Sequence, residues 1–242
     1  MSLVVDIGNS RLKWSFVDNG PWQAGRSVSL QDDLGALLDQ IWRDTPTPET
    51  FLVSNVSGFR VANSVRHWTI SNWGVEPGFF QSGAYYKTLT NEYKNPAQLG
   101  CDRWAEVIGA RSLVAGDVCI VDCGTAVTVD ALTGSDRFLG GIIFPGVKLI
   151  RNSLLSGTSD ITEHSAEPQK VPGRTTAEGV TLGSLFGVAG GVDRILHEMK
   201  GLLDEPQLYI TGGSARFLLP LLNHTLKYEP DLVLIGLAKT LS

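Results

Sequence analysis

Leu3-Val4-Val5-Asp6-Ile7-Gly8-Asn9-Ser10 stands at the start of the chain, and Cys119-Ile120-Val121-Asp122-Cys123-Gly124-Thr125-Ala126 repeats its pattern near the middle. In each, an apolar β-type run ends on an aspartate, and one residue later a glycine and a small polar residue turn the chain back. Strand-like runs follow both, Leu12 to Asp18 and Val127 to Ala131. A strand, an Asp-x-Gly-[Asn/Thr] turn and a second strand therefore occur twice.

One such turn reads as an ordinary hairpin. Its recurrence predicts two similar half-domains, residues 1–115 and 116–242, facing each other across a cleft with one aspartate from each at its edge. Glycine in the turn allows close approach of backbone N–H groups to an anion, and neighbouring side-chain oxygens can hold a cation beside it. The expectation is a nucleotide phosphate site.

The chain of 242 residues is long enough for two half-domains with a shared core. Its net charge of −5 offers no broad basic surface for nucleic acid. No uninterrupted apolar run of bilayer length and no signal-type N-terminus are evident, so a cytoplasmic protein without a membrane partner is expected. Three cysteines, Cys101, Cys119 and Cys123, form no CxxC pair; the last two share a strand face with Val121, as core residues do.

Between the hairpins, helices are predicted from about Ser29 to Trp42 and through Val61 to Ile70, with a strand at Phe51 to Val56. Alternation of strand and helix implies an α/β fold with a partly parallel sheet. Ser54 and Asn55 read as a polar strand terminus. The segment from Gly83 to Gly100 carries Tyr85, Tyr86 and Tyr93, aromatics suited either to a pocket or to packing a loop. A helix then starts near Cys101. Asp102 at its beginning suits a helix cap; paired with Arg103, it can instead accept a substrate proton beside a charge-stabilising guanidinium.

After the second hairpin come a strand at Gly140 to Gly146, a helix at Val147 to Leu155 and a polar loop from Ser156 to Arg174. A helix from Thr176 to Leu203 carries Gly179, Gly183, Gly187, Gly190 and Gly191, which predict close packing, either central or at a dimer interface. The chain finishes with a strand at Gln207 to Thr211, the pair Gly212-Gly213, a helix through Phe217 to Leu222, a strand-like run Asp231 to Gly236, and a helix from Leu237.

Asp6-Ile7-Gly8-Asn9-Ser10, Pro96-x-x-Leu99-Gly100-Cys101-Asp102-Arg103-Trp104, Asp122-Cys123-Gly124-Thr125-Ala126-x-Thr128-x-Asp130 and Gly140-Gly141-x-Ile143-x-Pro145-Gly146 together resemble the type III pantothenate kinases. The resemblance implies the duplicated ribonuclease-H-like fold of actin and the sugar kinases. It also implies transfer of the γ-phosphoryl group of ATP to the primary hydroxyl of pantothenate, with Mg²⁺ and a monovalent cation, K⁺ or NH₄⁺, in a homodimer. Residue by residue, it implies that Asp6, Ile7, Gly8, Asn9, Ser10, Arg11, Leu12 and Lys13 form the phosphate turn, with Asp6 near Mg²⁺ and Thr125 also contacting ATP. Asp102 resembles the general base, and Tyr93, Gly100, Cys101, Asp102 and Arg103 the pantothenate contacts. Asp122 resembles the potassium ligand. Thr176 matches a further substrate contact, with Thr175 beside it leaving the register open. The alternatives are another phosphotransferase or phosphohydrolase of the superfamily, and a regulatory accessory protein that binds nucleotide without turnover.

Overall fold

The computed structural model describes residues 1–18, 20–158 and 171–241. The loop expected between Ser156 and Arg174 lies largely outside these, as does Asn19 of the first hairpin's following turn. The chain divides into two units. The first comprises Met1–Ala115, Asp136–Phe138 and Asp231–Ser242; the second comprises Gly116–Ser135 and Leu139–Pro230.

The first unit begins with β1 (Ser2–Ile7), β2 (Arg11–Val17) and β3 (Arg26–Ser29), followed by α1 (Leu34–Trp42), β4 (Thr50–Asn55), α2 (Phe59–Trp73) and β5 (Gly78–Phe79). The sheet order is β3-β2-β1-β4-β5. β2 runs antiparallel to β1 and β4 parallel to it. Leu3, Val4, Val5 and Ile7 are buried because β1 is central and covered on both faces, which explains its nearly continuous apolar run. A cluster of aromatic rings fills one side. Trp42 meets Trp14 and Phe51 edge-on at centroid distances of 6.2 and 5.6 Å, and Trp68 meets Trp73 at 4.9 Å. Helix α1 starts five residues later than the expected Ser29, because Asp33 caps it, accepting a 3.0 Å hydrogen bond from the Ala36 N–H.

Two short strands, β6 (Tyr85–Tyr86) and β7 (Leu89–Asn91), form a hairpin in the segment that showed little periodicity, and α3 (Cys101–Leu113) follows. Asp136 to Phe138 join this unit through local bonds. Thr90 N–H donates to the Asp136 carbonyl at 2.8 Å, and the Arg111 Nε lies 2.8 Å from the Asp136 carboxylate.

The second unit repeats the plan. Its elements are β8 (Val118–Cys123), β9 (Ala126–Leu132), β10 (Arg137–Pro145, from Leu139 onward), α4 (Val147–Gly157), α5 (Thr176–Lys200), β11 (Gln207–Thr211), α6 (Ala215–Leu218) and β12 (Lys227–Tyr228). The order β10-β9-β8-β11-β12 matches that of the first sheet, strand for strand. β9 is antiparallel to β8, and β11 is parallel to it. Cys119 and Cys123 lie in its core with Val121, Val127 and Val129, against Val188, Val192 and Leu196 of α5.

Helix α5 bears on two expectations. It is long and apolar enough to cross a bilayer by length and composition, where no such stretch was foreseen; 44% of that apolar window is buried within the protein. Its glycines 179, 183, 187 and 190 have open space among the described residues where a Cβ would project, so the central packing expected of them is not made there.

The last element, α7 (Leu232–Thr240), corrects two readings. The run Leu232 to Gly236 is helix rather than strand, and it belongs to the first unit although 116–242 was expected to form one half. A Cβ on Gly236 would stand 1.8 Å from the Ala105 carbonyl oxygen, and one on Gly109 would stand 2.3 Å from that of Leu232. The two glycines let α3 and α7 cross backbone to backbone, with Ala105, Leu234, Leu237 and Val4 closing the seam.

Candidate active site

In the first unit the site grows from the end of β1. Register pairs Asp6 with Lys13 on β2 and with Ser54 on β4, so the three sit side by side across the sheet. Ser54 is fully buried and its hydroxyl hydrogen-bonds Asp6. Oδ1 of Asp6 is buried without a hydrogen-bond partner. Burial first, and the nearby Asp102 carboxylate second, push the Asp6 carboxyl up to about 7, against the opposing pull of Ser54 and Lys13. Two carboxylates held together in a site that cannot easily bear both charges suit a cation.

The turn itself is closed by its own backbone and by Ser57. Gly8 N–H donates to the Arg11 carbonyl at 3.0 Å, closing the hairpin, and the Ser57 hydroxyl donates to the Gly8 carbonyl at 2.6 Å. Asn9 and Ser10 are exposed at the tip. Arg11 turns its guanidinium onto the Ser27 hydroxyl at 2.8 and 2.9 Å. Ile7 and Leu12 are fully buried in the core, so their side chains face away from solvent.

Gly100 occupies the cap position of α3, so Asp102 lies inside the first turn rather than at the cap. Its Oδ1 accepts the Arg103 N–H at 2.8 Å, satisfying one donor of the helix start. A Cβ on Gly100 would meet that same oxygen at 2.5 Å, so glycine is what lets the carboxylate fold back here. Arg103 is buried; its Nη1 donates to the Tyr93 hydroxyl at 2.6 Å and its guanidinium lies over the Tyr93 ring. Phe138 stacks on Tyr93 with ring centroids 5.9 Å apart. Cys101 is buried beside the Ser54 hydroxyl at 3.5 Å, and burial raises its thiol. Tyr85 is exposed, and Tyr86 donates to the Lys239 carbonyl at 2.5 Å, so of the three tyrosines only Tyr93 meets Arg103.

In the second unit, Asp122 is the next-to-last residue of β8, opposite Thr128 on β9. The Thr128 hydroxyl is buried without a hydrogen-bond partner. Gly212, at φ 91°, passes so near that a Cβ would meet the Asp122 carboxylate at 2.2 Å and the Cys123 backbone at 2.5 Å. The Gly-Gly pair after β11 is thus a close backbone approach to the aspartate. Gly146 donates its N–H to the Thr125 carbonyl at 3.0 Å, and its missing Cβ leaves room for the Gly124 carbonyl. Gly141 likewise makes room for the buried Asp130. Thr175 is the cap of α5, accepting from the Glu178 N–H at 3.2 Å, while Thr176 is its first helical residue and exposed.

Three residues named in the sequence without an assigned site role stand beside these aspartates: Ser54 against Asp6, and Thr128 and Gly212 against Asp122. Ser54 carried a weak signal, being polar at a strand end in register with Asp6. Among the described residues no three His, Cys, Asp or Glu gather as a metal cluster.

The type III pantothenate kinase family model matches residues 2–198. A type III pantothenate kinase of Nitrosococcus oceani is 36% identical, over 99% of this chain and 93% of its own. The chain belongs to the type III pantothenate kinase family. A solved structure from Campylobacter jejuni, described as a Baf family transcriptional activator, superposes with a TM-score of 0.60 at 20% identity, covering 98% of this chain and 96% of that one. Component A of the (R)-2-hydroxyglutaryl-CoA dehydratase of Acidaminococcus fermentans superposes at 0.52 with 12% identity, covering 98% and 94%. Such likenesses establish the actin-like ATPase fold, in agreement with the repeated sheet order. A kinase of this family uses ATP and a divalent metal, and the Asp6 carboxylate, one of whose buried oxygens has no hydrogen-bond partner, fits the metal by the chemistry of its oxygens.

Proposed function

We propose that Asp102 is the general base in the ATP-dependent phosphorylation of pantothenate, the reaction of this family and the first step of coenzyme A biosynthesis. The observation that carries the assignment is the position of Asp102, in the first turn of α3 with its carboxylate close enough to Asp6 to raise that group. An acceptor hydroxyl presented to Asp102 gives up its proton as the phosphoryl group arrives. Arg103, held by Tyr93, keeps a fixed positive charge near the acceptor and orients it. The transition state of phosphoryl transfer is loose, so positioning and cationic charge contribute more than the base does. Asp6 and Lys13 serve the phosphates; Mg²⁺, when bound at Asp6, draws charge off the phosphate oxygens. Asp102→Asn is expected to lose most turnover while ATP binding survives, measured by phosphopantothenate formation and by nucleotide titration. Undiminished turnover overturns the assignment.

The remaining roles belong to the same proposal. Thr125 contacts ATP and Thr176 the substrate. Asp122, next to the unpartnered Thr128 hydroxyl, offers oxygen ligands to K⁺ or NH₄⁺. Replacing K⁺ by Na⁺ should therefore lower the rate of the wild type and leave Asp122→Ala unaffected; an equal potassium response in both argues the site away. The protein acts in the cytoplasm as a homodimer. Supporting the dimer, α4 has no buried residue yet carries Leu149 and Leu154, and Ile143 of β10 and Phe186 of α5 are exposed in the same unit as the open glycine edge.

A further inference from the structure

We propose that Asp231 is a positioning residue for Lys13, an anchored carboxylate that holds the lysine ammonium ready for the phosphates. The inference rests on the assignment of Lys13 to the phosphate turn and goes beyond it, because Asp231 lies in none of the motifs that carry the family resemblance.

Asp231 is the N-cap residue of α7, where an aspartate ordinarily accepts an N–H of its own helix. Its side chain makes no such bond. Oδ2 instead accepts the Gly25 N–H at 2.8 Å and the Trp22 Nε1–H at 3.3 Å, and Oδ1 lies 3.3 Å from the Lys13 Nζ. The carboxylate side chain is 5% exposed and that of Lys13 24%. The approach of Gly25 depends on its lacking a side chain, since a Cβ there would meet Leu234 at 2.6 Å and Asp231 Oδ1 at 2.7 Å. A buried charge is retained only when it is paired and hydrogen-bonded. Two fixed donors and a helix terminus anchor this one, and its second oxygen faces the lysine. Lys13 is also the cross-strand partner of Asp6, so a flexible side chain that would otherwise sample many rotamers is held beside the reacting end of the sheet.

Asp231→Asn separates the two roles of the group. The amide oxygen can still accept from Gly25 and Trp22, while the amide NH₂ faces the Lys13 ammonium without pairing to it. The expected result is a fall in kcat/KM for ATP of roughly 10- to 100-fold, with KM for pantothenate unchanged. In a Lys13→Met background the same substitution should cause no further fall, since the pair then acts as one unit. Asp231→Glu should recover part of the loss. If ATP kinetics stay normal in Asp231→Asn while Lys13→Met impairs them, or if the two losses multiply, the proposal is overturned. Should Lys13→Met itself leave ATP kinetics unchanged, the phosphate role of Lys13 fails, and the proposal with it; that single variant distinguishes the two failures. The unmutated protein supplies a test independent of variant folding. The Lys13 ¹⁵Nζ resonance should show a slowly exchanging ammonium that shifts on adding ATP, and a rapidly exchanging ammonium insensitive to ATP overturns the proposal.

Discussion

Asp6 carries an electrostatic burden in the first unit, and that burden is measurable. Its carboxyl is raised to about 7 in the folded, metal-free chain, from an ordinary value of 3.8. Below about pH 4 both folded and unfolded chains are protonated there, and the group adds no penalty. Between about 4 and 7 the unfolded chain releases the proton that the folded chain keeps, so stability falls as pH rises. Above 7 the penalty is constant, on the order of 4 kcal/mol. Asp6→Asn removes it. In chelator the variant should melt above the wild type at pH 8, with the gap closing as pH is lowered to 4; a gap independent of pH argues against a buried, charge-strained Asp6. A second residue-scale expectation concerns the thiols. Burial pushes Cys119 up to about 12 and raises Cys101 as well, so neither supplies thiolate near neutrality. Iodoacetamide at pH 8 should label neither until the chain is unfolded, as read by mass spectrometry.

At the scale of elements, the crossing of α3 and α7 is the most constrained contact. Gly236→Ala places a methyl group against the Ala105 backbone, which has no flexible end to move aside. A loss of about 1–3 kcal/mol is expected, with activity falling as well, because α3 carries Asp102 and α7 begins at Asp231. Urea unfolding tests the first part and turnover the second. This crossing also shows where sequence reading stops. The two hairpins were legible because alternation and turn chemistry are local, and so was the placing of Asp6, Asp102 and Asp122 near the ends of their elements. Leu232-Val233-Leu234-Ile235 reads as a strand because it is apolar on every side, and a short helix buried all round has the same composition. Ser54 and Asp231 matter through partners distant in sequence, a sheet register and a helix start, which no local pattern announces. The glycines of Gly140-Gly141 and Gly146 were legible as a motif, but what they do, making room for Asp130 and for the turn at Gly124, is visible only in three dimensions.

For the whole molecule, the glycine edge of α5 gives a prediction whose sign depends on assembly. In an isolated chain, Gly183→Ala and Gly187→Ala gain roughly 1 kcal/mol each in helix propensity, since nothing within the described residues obstructs the added methyl. In a homodimer that buries this edge, the same methyl groups separate the helices. If the homodimer proposed above buries this edge, the double variant should sediment as a monomer at concentrations where the wild type associates. Unchanged association, with a raised melting temperature, would place the dimer contact elsewhere on the surface.

The return of α7 to the first unit has a consequence in time. During synthesis the strands β1 to β5 and helix α3 emerge early, but the glycine face of α3 has no cover until the chain has passed through the entire second unit. The first unit is started first and completed last, while the second, nearly continuous in sequence, can fold in the interval. Nascent chains arrested before Asp231 should hold a protease-resistant second unit together with a first unit that is still cut, so β2 and its Lys13 become ordered only when the last helix arrives.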